Sequence, residues 1–279
     1  PCTFVASAQA ALYAGYRPVF ADCDPETGLI DPNSVAELLE AAIDHAAPVA
    51  AVVAVDLNGH PAPKDDLLDL LDTHHVPLVR DAAHSLGAVD CDGQPVGADS
   101  GVLATTLSFH PVKLIAAGEG GAIATADEEF AATMRHRRSH AMTRSTDRQA
   151  DYRVDAVGFN YRLSDLHAAL GRSQLARIDE KLAHRRALAD HYAAHFADAE
   201  GVDFVRPLEG SVSAWHLASI RVPAARRWDL IRVLREQGIG AAHHYPAAHL
   251  QPVYEGLLPG LAGTCPGAER YCSQQVTLP

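Results

Sequence analysis

The sequence predicts an α/β protein: a mostly parallel sheet covered by helices, then a smaller α+β unit. Two observations carry this. Apolar runs at 50–57, 77–79 and 102–107 alternate with helical patterns at 32–43 and 65–73, and strands apolar on both faces belong to sheets covered on both sides. After Gly201 the order changes: strand patterns at 204–207 and 215–222 precede a helix from Trp228 to Gln237 and a Gly-Ile-Gly turn. A boundary near Asp179 divides the chain into domains 1–178 and 179–279.

Taken in order, Ala6 to Ala14 reads as a helix stopped by Gly15, and Pro18 to Ala21 as a short strand. Asp24 to Asp31 is turn chemistry. Asp31 and Pro32 open a helix with Val35, Leu38, Leu39, Ala42 and Ile43 on one face. Gly118-Glu119-Gly120-Gly121 precedes a strand rather than a helix, so it is a tight turn and not a dinucleotide fingerprint. Asp127, Glu128 and Glu129 start a helix that Arg135, Arg137 and Arg138 end, matching its dipole. Residues 139–157 are polar and irregular, with Arg144, Arg148 and Arg153 in a solvated loop or one near a substrate phosphate. Ser164 and Asp165 cap a helix expected to turn Leu166, Ala169, Leu170, Leu175 and Ile178 inward, and Leu182 to Phe196 is a second helix suited to bridging two units.

Composition narrows the function. The 279 residues are 48% hydrophobic and 21% charged, long enough for one large core and a smaller one. A net charge of −12 argues against a general nucleic-acid binder. The longest clean apolar run, Pro48 to Val55, is too short to span a bilayer, and no secretory leader is visible. The five cysteines are scattered without a Cys-x-x-Cys pair, which fits a reducing cytoplasm. His243, His244 and His249 lack a carboxylate and good ligand spacing, so no metal is expected.

The chemistry lies at two strand ends. Lys113 follows the apolar run ending at Leu107, beside a glycine-rich turn. A partly desolvated amine there has a lowered pKa and attacks carbonyls. Val76 to Val79 leads into Arg80 and Asp81. A carboxylate at that place suits pyridoxal phosphate (PLP), whose ring nitrogen must stay protonated to draw electrons from an amino-acid carbon. His84, three residues on, could reach the ring's phenolic oxygen. Alone, Asp81 reads equally as a helix cap and Lys113 as a solvated loop residue. Together, each closing an apolar strand, they point to PLP chemistry.

Thr3-Phe4-Val5-Ala6, Pro18-Val19-Phe20, Asp81-Ala82-Ala83-His84, Ser108 to Lys113, Glu119-Gly120-Gly121, Gly158 to Arg162, Gln174-Leu175 and Leu278-Pro279 occur in order along nearly the whole chain. In these motifs the chain resembles the DegT/DnrJ/EryC1/StrS sugar aminotransferases. The resemblance implies the PLP-dependent fold type I, with a large domain and a smaller C-terminal one, and a homodimer with shared sites. It implies Lys113 as the catalytic lysine and Asp81, His84 and Ser108 as cofactor ligands, with Ser108 at the phosphate. It places Phe4 as a ring stacked on the cofactor and Asn160 at the partner's cofactor phosphate. His244 and Tyr245 would face the sugar, although a structural role fits them equally. Phe4 could likewise be plain core, and Ser108 a strand-end cap.

The resemblance further implies transfer of an amino group, from glutamate, to a nucleotide-linked 4-keto sugar. Gly15 to Phe20, Val53 to Asp56, Arg138-Ser139-His140 and Phe159 to Leu163 are similar to members that aminate a UDP-linked 4-keto-6-deoxy amino sugar toward pseudaminic acid. Members that form UDP-4-amino-4-deoxy-L-arabinose are similar in several of the same places. The chain departs from the pattern at Ala116-Ala117 and Ala141, and it opens at Pro1 in mid-motif, so the family's N-terminal phosphate-binding turn is expected ahead of it. A non-catalytic relative would not be expected to keep Lys113, Asp81, His84, Ser108 and Asn160 together. A sugar dehydratase of the same fold would carry histidine at position 113.

Overall fold

A computed structural model describes residues 1–145 and 151–279. Arg148 of the expected polar loop lies outside the described residues. Helix α1 (Ala6–Tyr13) is followed by α2 (Pro32–Asp44), β1 (Val52–Val55), α3 (Lys64–His74), β2 (Leu78–Asp81), β3 (Ala104–Ser108), β4 (Gly121–Ala124) and α4 (Glu128–Arg137). The four strands form one sheet in the order β1-β2-β3-β4, with β1, β2 and β3 parallel and β4 antiparallel. This is the expected α/β layer. The register sets Val55 beside Asp81 and Asp81 beside Thr106, so three strand ends share one edge.

Local chemistry explains the helix starts. The Asp31 side chain accepts from Asn33 N with Pro32 in the first turn, and Asp127 accepts from Phe130 N. Val35 and Leu39 of α2 and Leu67 and Leu71 of α3 pack on Ala54 and Leu78 of the sheet. A separate cluster joins Ala82, Ala88 and Leu114 to Leu182. Leu182 belongs to α6 (Ile178–His195), which follows α5 (Asp165–Leu175). The C-terminal part contains β7 (Asp203–Phe204), β8 (Ala218–Arg221), α7 (Ala224–Glu236), α8 (Pro252–Leu257), α9 (Pro266–Gln274) and β9 (Gln275–Leu278). Its three strands are antiparallel in the order β7-β8-β9, and Ile220 and Val276 pack against Ile231 of α7.

Several local expectations change. Residues 18–21 form no strand. Pro18 lacks a ladder donor, and Phe20 is held by its side chain, edge-on to Tyr254 at 5.2 Å. Part of the loop at 139–157 is an antiparallel pair of strands, β5 (Met142–Arg144) and β6 (Tyr152–Val154). The strand expected from Trp215 starts only at Ala218, because Trp215 has a φ of 49°. Helix α5 does not bury its leucines: Leu166 is 82% exposed, and Leu170 and Leu175 are also exposed. Its partly buried side carries His167, Ala168, Gly171 and Gln174 instead, with Gly171 against Ala117.

Beneath the shared strand edge lies a charge network. Arg80 is 1% exposed. Its Nε donates to Asp56 Oδ2 at 2.8 Å, its two terminal nitrogens donate to both oxygens of Asp90 at 2.6 and 2.7 Å, and Nη1 also reaches Asp99 Oδ1 at 2.9 Å. Asp56 also accepts from Ala62 N and Ser85 Oγ, and Asp99 from Thr105 Oγ1. Buried Lys64 lies 3.7 Å from Asp90. Although burial opposes its charge, the surrounding carboxylates hold the Arg80 pKa above its ordinary value.

Replacing Arg80 by methionine strands three buried carboxylates. We expect a loss of about 3–5 kcal/mol, read as a lower denaturant midpoint. A variant as stable as wild type would show that the network does not hold the sheet edge.

Candidate active site

The candidate site is built on that strand edge. Asp81 is the last residue of β2, and β3 ends at Ser108. The following loop is closed at its base, with Phe109 N donating to Gly120 O at 2.8 Å and Ala117 N to Phe109 O at 2.9 Å. Lys113 stands on this loop, half-buried. Burial lowers its pKa, and the Asp81 charge works against that shift. The two groups therefore lie within electrostatic reach of each other. No side-chain hydrogen bond or ion pair occupies the Lys113 amine among the described residues.

Asp81 is fixed from two sides. The Ser7 hydroxyl of α1 donates to Oδ2 at 2.6 Å, and Ala83 N donates to Oδ1 at 3.2 Å. His84 is buried, with Nε2 3.4 Å from the Tyr245 hydroxyl and its ring 4.2 Å from that of His216. Burial pushes the His84 pKa well below its ordinary value, and His216, Lys113 and His244 push it further. The neutral ring has one donor and one acceptor nitrogen, yet Nδ1 is buried without a partner among the described residues. Such an orphan points to a group that completes the site. Phe4 is 56% exposed, with its ring 5.6 Å from Tyr245. Burial raises the Tyr245 pKa and the Asp81 charge adds to it, which keeps the phenol protonated.

The residues expected from sequence do not all converge. Lys113, Asp81, His84, Phe4, Tyr245 and His244 do. His244 feels the Lys113 charge, while its Nδ1 lies 3.0 Å from Thr277 Oγ1 on β9. Ser108 closes β3, and among the described residues its hydroxyl accepts only a long 3.4 Å bond from His110 N. Asn160 is exposed and bridges to Ser139 beyond α4. No hydrogen bond or ring contact among the described residues joins Ser108 or Asn160 to the cluster. Gly120 and Gly121 approach protein closely: a Cβ on Gly121 would meet Leu107 O at 2.7 Å, and one on Gly120 would meet Leu163 at 2.7 Å.

An amine, a carboxylate held by two donors, an exposed aromatic face and an orphaned imidazole nitrogen form a donor set that fits PLP. The model of the DegT/DnrJ/EryC1/StrS aminotransferase family matches residues 1–279. The chain belongs to this family. Its members are PLP-dependent sugar aminotransferases, and so is this enzyme. Similar solved structures include Helicobacter pylori PseC, an aminotransferase involved in the biosynthesis of pseudoaminic acid, at 30% identity and a TM-score of 0.90; the match covers 100% of this chain and 72% of PseC. DesV from S. venezuelae, solved in complex with a ketimine intermediate, is 32% identical with a TM-score of 0.88, covering 100% of this chain and 71% of DesV. DesI, solved in the presence of its TDP-sugar product, is 31% identical with a TM-score of 0.83, covering 100% of this chain and 68% of DesI.

Sequence reasoning missed three parts of this candidate site. Ser7 looked like one more helix residue. His216 sits in a stretch read as strand, and only its tilted ring contact with His84 reveals it. Arg185 of α6 donates to the carbonyls of Trp215 and His216 at 2.8 and 3.1 Å, fixing that turn. Gly59, with a φ of 89°, lets the turn approach: a Cβ there would lie 2.8 Å from His216 N and 2.9 Å from His84 O. Among the described residues no group of three or more His, Cys, Asp or Glu is arranged to hold a metal ion.

Burial holds His60 and His216 at a pKa of about 3 and His243 at about 4. In the unfolded chain each returns to the usual 6.5 or so, so between those values the unfolded state binds more protons. Stability is therefore full above about pH 6.5 and falls as the pH drops toward 3. Asp56, raised by burial to about 6 despite Arg80, runs the other way between its ordinary 3.8 and that value. Three histidines outweigh one carboxylate, so melting temperatures should decline from pH 6.5 downward. A flat profile would contradict the buried neutral histidines.

Proposed function

We propose that this aminotransferase moves an amino group from glutamate to C4 of a UDP-linked 4-keto-6-deoxy amino sugar, a step toward pseudaminic acid. The observation that carries the reading is the partly desolvated Lys113 amine within electrostatic reach of Asp81, in a chain similar in fold to PseC. The stretches Gly15 to Phe20 and Phe159 to Leu163 support the same substrate. The similarity to DesI favours a second reading, in which the acceptor is another nucleotide-linked keto sugar, the UDP-4-amino-4-deoxy-L-arabinose type included.

Each residue has a task in this scheme. Lys113 would hold the aldehyde carbon of PLP, Asp81 a proton at the ring nitrogen, and His84 Nδ1 the phenolic oxygen. Phe4 would cover the ring face. Bound PLP supplies an electron-accepting ring, which lets a proton leave the carbon that carries the donor's amine. Freed when the donor's amine takes its place at the aldehyde carbon, Lys113 Nζ, its pKa lowered by burial, would accept that proton from the donor's Cα. His244 and Tyr245, at the edge of the cluster, would contact the sugar. Ser108 and the partner subunit's copy of Asn160 would contact the cofactor phosphate.

The assembly belongs to the same proposal. Leu166 and Leu170, one turn apart on α5 and both exposed, offer apolar surface suited to a second copy. Residues 1–178 act as the large domain and 179–279 as the small one. Among the described residues no helix is long and apolar enough to cross a membrane, and the free cysteines suit a reducing cytoplasm.

The purified enzyme should show the visible absorbance of lysine-bound PLP, and Lys113→Ala should lose it; absorbance that persists in the variant would refute the role of Lys113. A panel of UDP- and TDP-linked 4-keto sugars, read by product mass, decides the acceptor. If Asn160 serves its partner, mixing inactive Lys113→Ala with inactive Asn160→Ala subunits should restore part of the activity. Mixing without recovery would argue for self-contained sites.

A further inference from the structure

We infer that Ser7, itself oriented by Thr3, is a positioning residue for the acid at the cofactor ring. This rests on the PLP reading of Asp81. Three oxygens surround the single Ser7 hydroxyl proton: Asp81 Oδ2 at 2.6 Å, Thr3 Oγ1 at 2.8 Å and Phe4 O at 3.4 Å. The charged acceptor at the shortest distance takes the proton. Ser7 Oγ then has only lone pairs to offer Thr3, so the Thr3 hydroxyl must donate. The direction of the relay is fixed: Thr3 to Ser7 to Asp81.

The geometry gives this relay a purpose. Ala83 N already occupies Oδ1 from the strand's own turn. Ser7 supplies the hydrogen bond to Oδ2 from a separate element, so the carboxylate plane turns only by losing both bonds. A carboxylate locked in this way keeps its remaining lone pairs aimed and its negative charge stabilised. Both properties serve an acid that must hold a proton at one ring nitrogen. Thr3 is buried, which keeps water from competing for its hydroxyl. Phe4 lies on the same short segment as both hydroxyls. One stretch of chain thus sets the aromatic cover over the ring face and the aim of the acid at its edge.

The test titrates PLP into cofactor-free enzyme and follows visible absorbance, alongside kcat, the donor KM and the melting temperature of the apo-protein. Ser7→Ala should melt like wild type, bind PLP about tenfold more weakly or worse, and lose kcat with little change in donor KM. Ser7→Thr keeps the hydroxyl and should restore both. Thr3→Val leaves the Ser7 donor but frees its orientation, so it should weaken PLP binding by a smaller factor. PLP binding by Ser7→Ala equal to wild type, or no rescue by Ser7→Thr, would overturn the relay. Wild-type enzyme that takes up no PLP at all would overturn the cofactor reading beneath it, and the relay with it.

Discussion

One buried cation organises the strand edge that carries the candidate site. Arg80 projects to one side of β2, and Asp81, the next residue, necessarily projects to the other. By anchoring Asp56 after β1, Asp99 before β3 and Asp90 in the connection between β2 and β3, the guanidinium ties together the segments around the strand ends. Backbone bonds continue the same work, with Asp56 N donating to Asp81 O at 3.0 Å and Ala82 N to Thr106 O at 2.9 Å. The position of the Asp81 carboxylate is thus set by a charge cluster on the opposite face of its strand. Five hydrogen-bond donors in a rigid fork make arginine, and not lysine, suited to joining three carboxylates.

On the other face the electrostatic logic reverses. Lys113 and Asp81 carry the charge, and the groups packed around them are held neutral. His84 and His216 are pushed toward the uncharged form, first by burial and then by neighbouring groups that include Lys113. Tyr245 is kept protonated by burial and by the aspartate. A site built this way keeps its one acid and one amine distinct, while the neutral rings supply shape and hydrogen bonds. A low-dielectric surround also strengthens every charge that acts within it.

The ends of the described chain meet beside this site. Cys2, Cys23, Leu29 and Leu57 share a core with Ala247, Cys265, Tyr271 and Cys272, and Asn58 Nδ2 donates to the Tyr271 hydroxyl at 2.9 Å. Four buried cysteines act here as small apolar residues. The packing fixes Thr3 and Phe4 at one margin of the cluster and Tyr245 at another. Segments more than two hundred residues apart in sequence therefore build one wall.

The fold class was legible because strands apolar on both faces separated by amphipathic helices admit few arrangements, and Asp31, Asp127 and Ser164 announce their helices by local hydrogen bonding alone. The placement of Asp81 and Lys113 was legible for a related reason: charges at or just past the end of apolar strands lie near the edge where such sheets bind ligands. What packs against that edge was not legible. No periodicity marks Ser7, His216 or Arg185, since each acts through a partner distant in sequence. The leucines of α5, read as inward, stay exposed, because a helical sequence records which residues are apolar but not which of them the rest of the chain packs against. Sequence by itself determined which groups carry charge and where strands end; only the tertiary structure decided which of them are aimed, neutralised or joined, because burial and cross-chain hydrogen bonds exist only once distant segments share one interior.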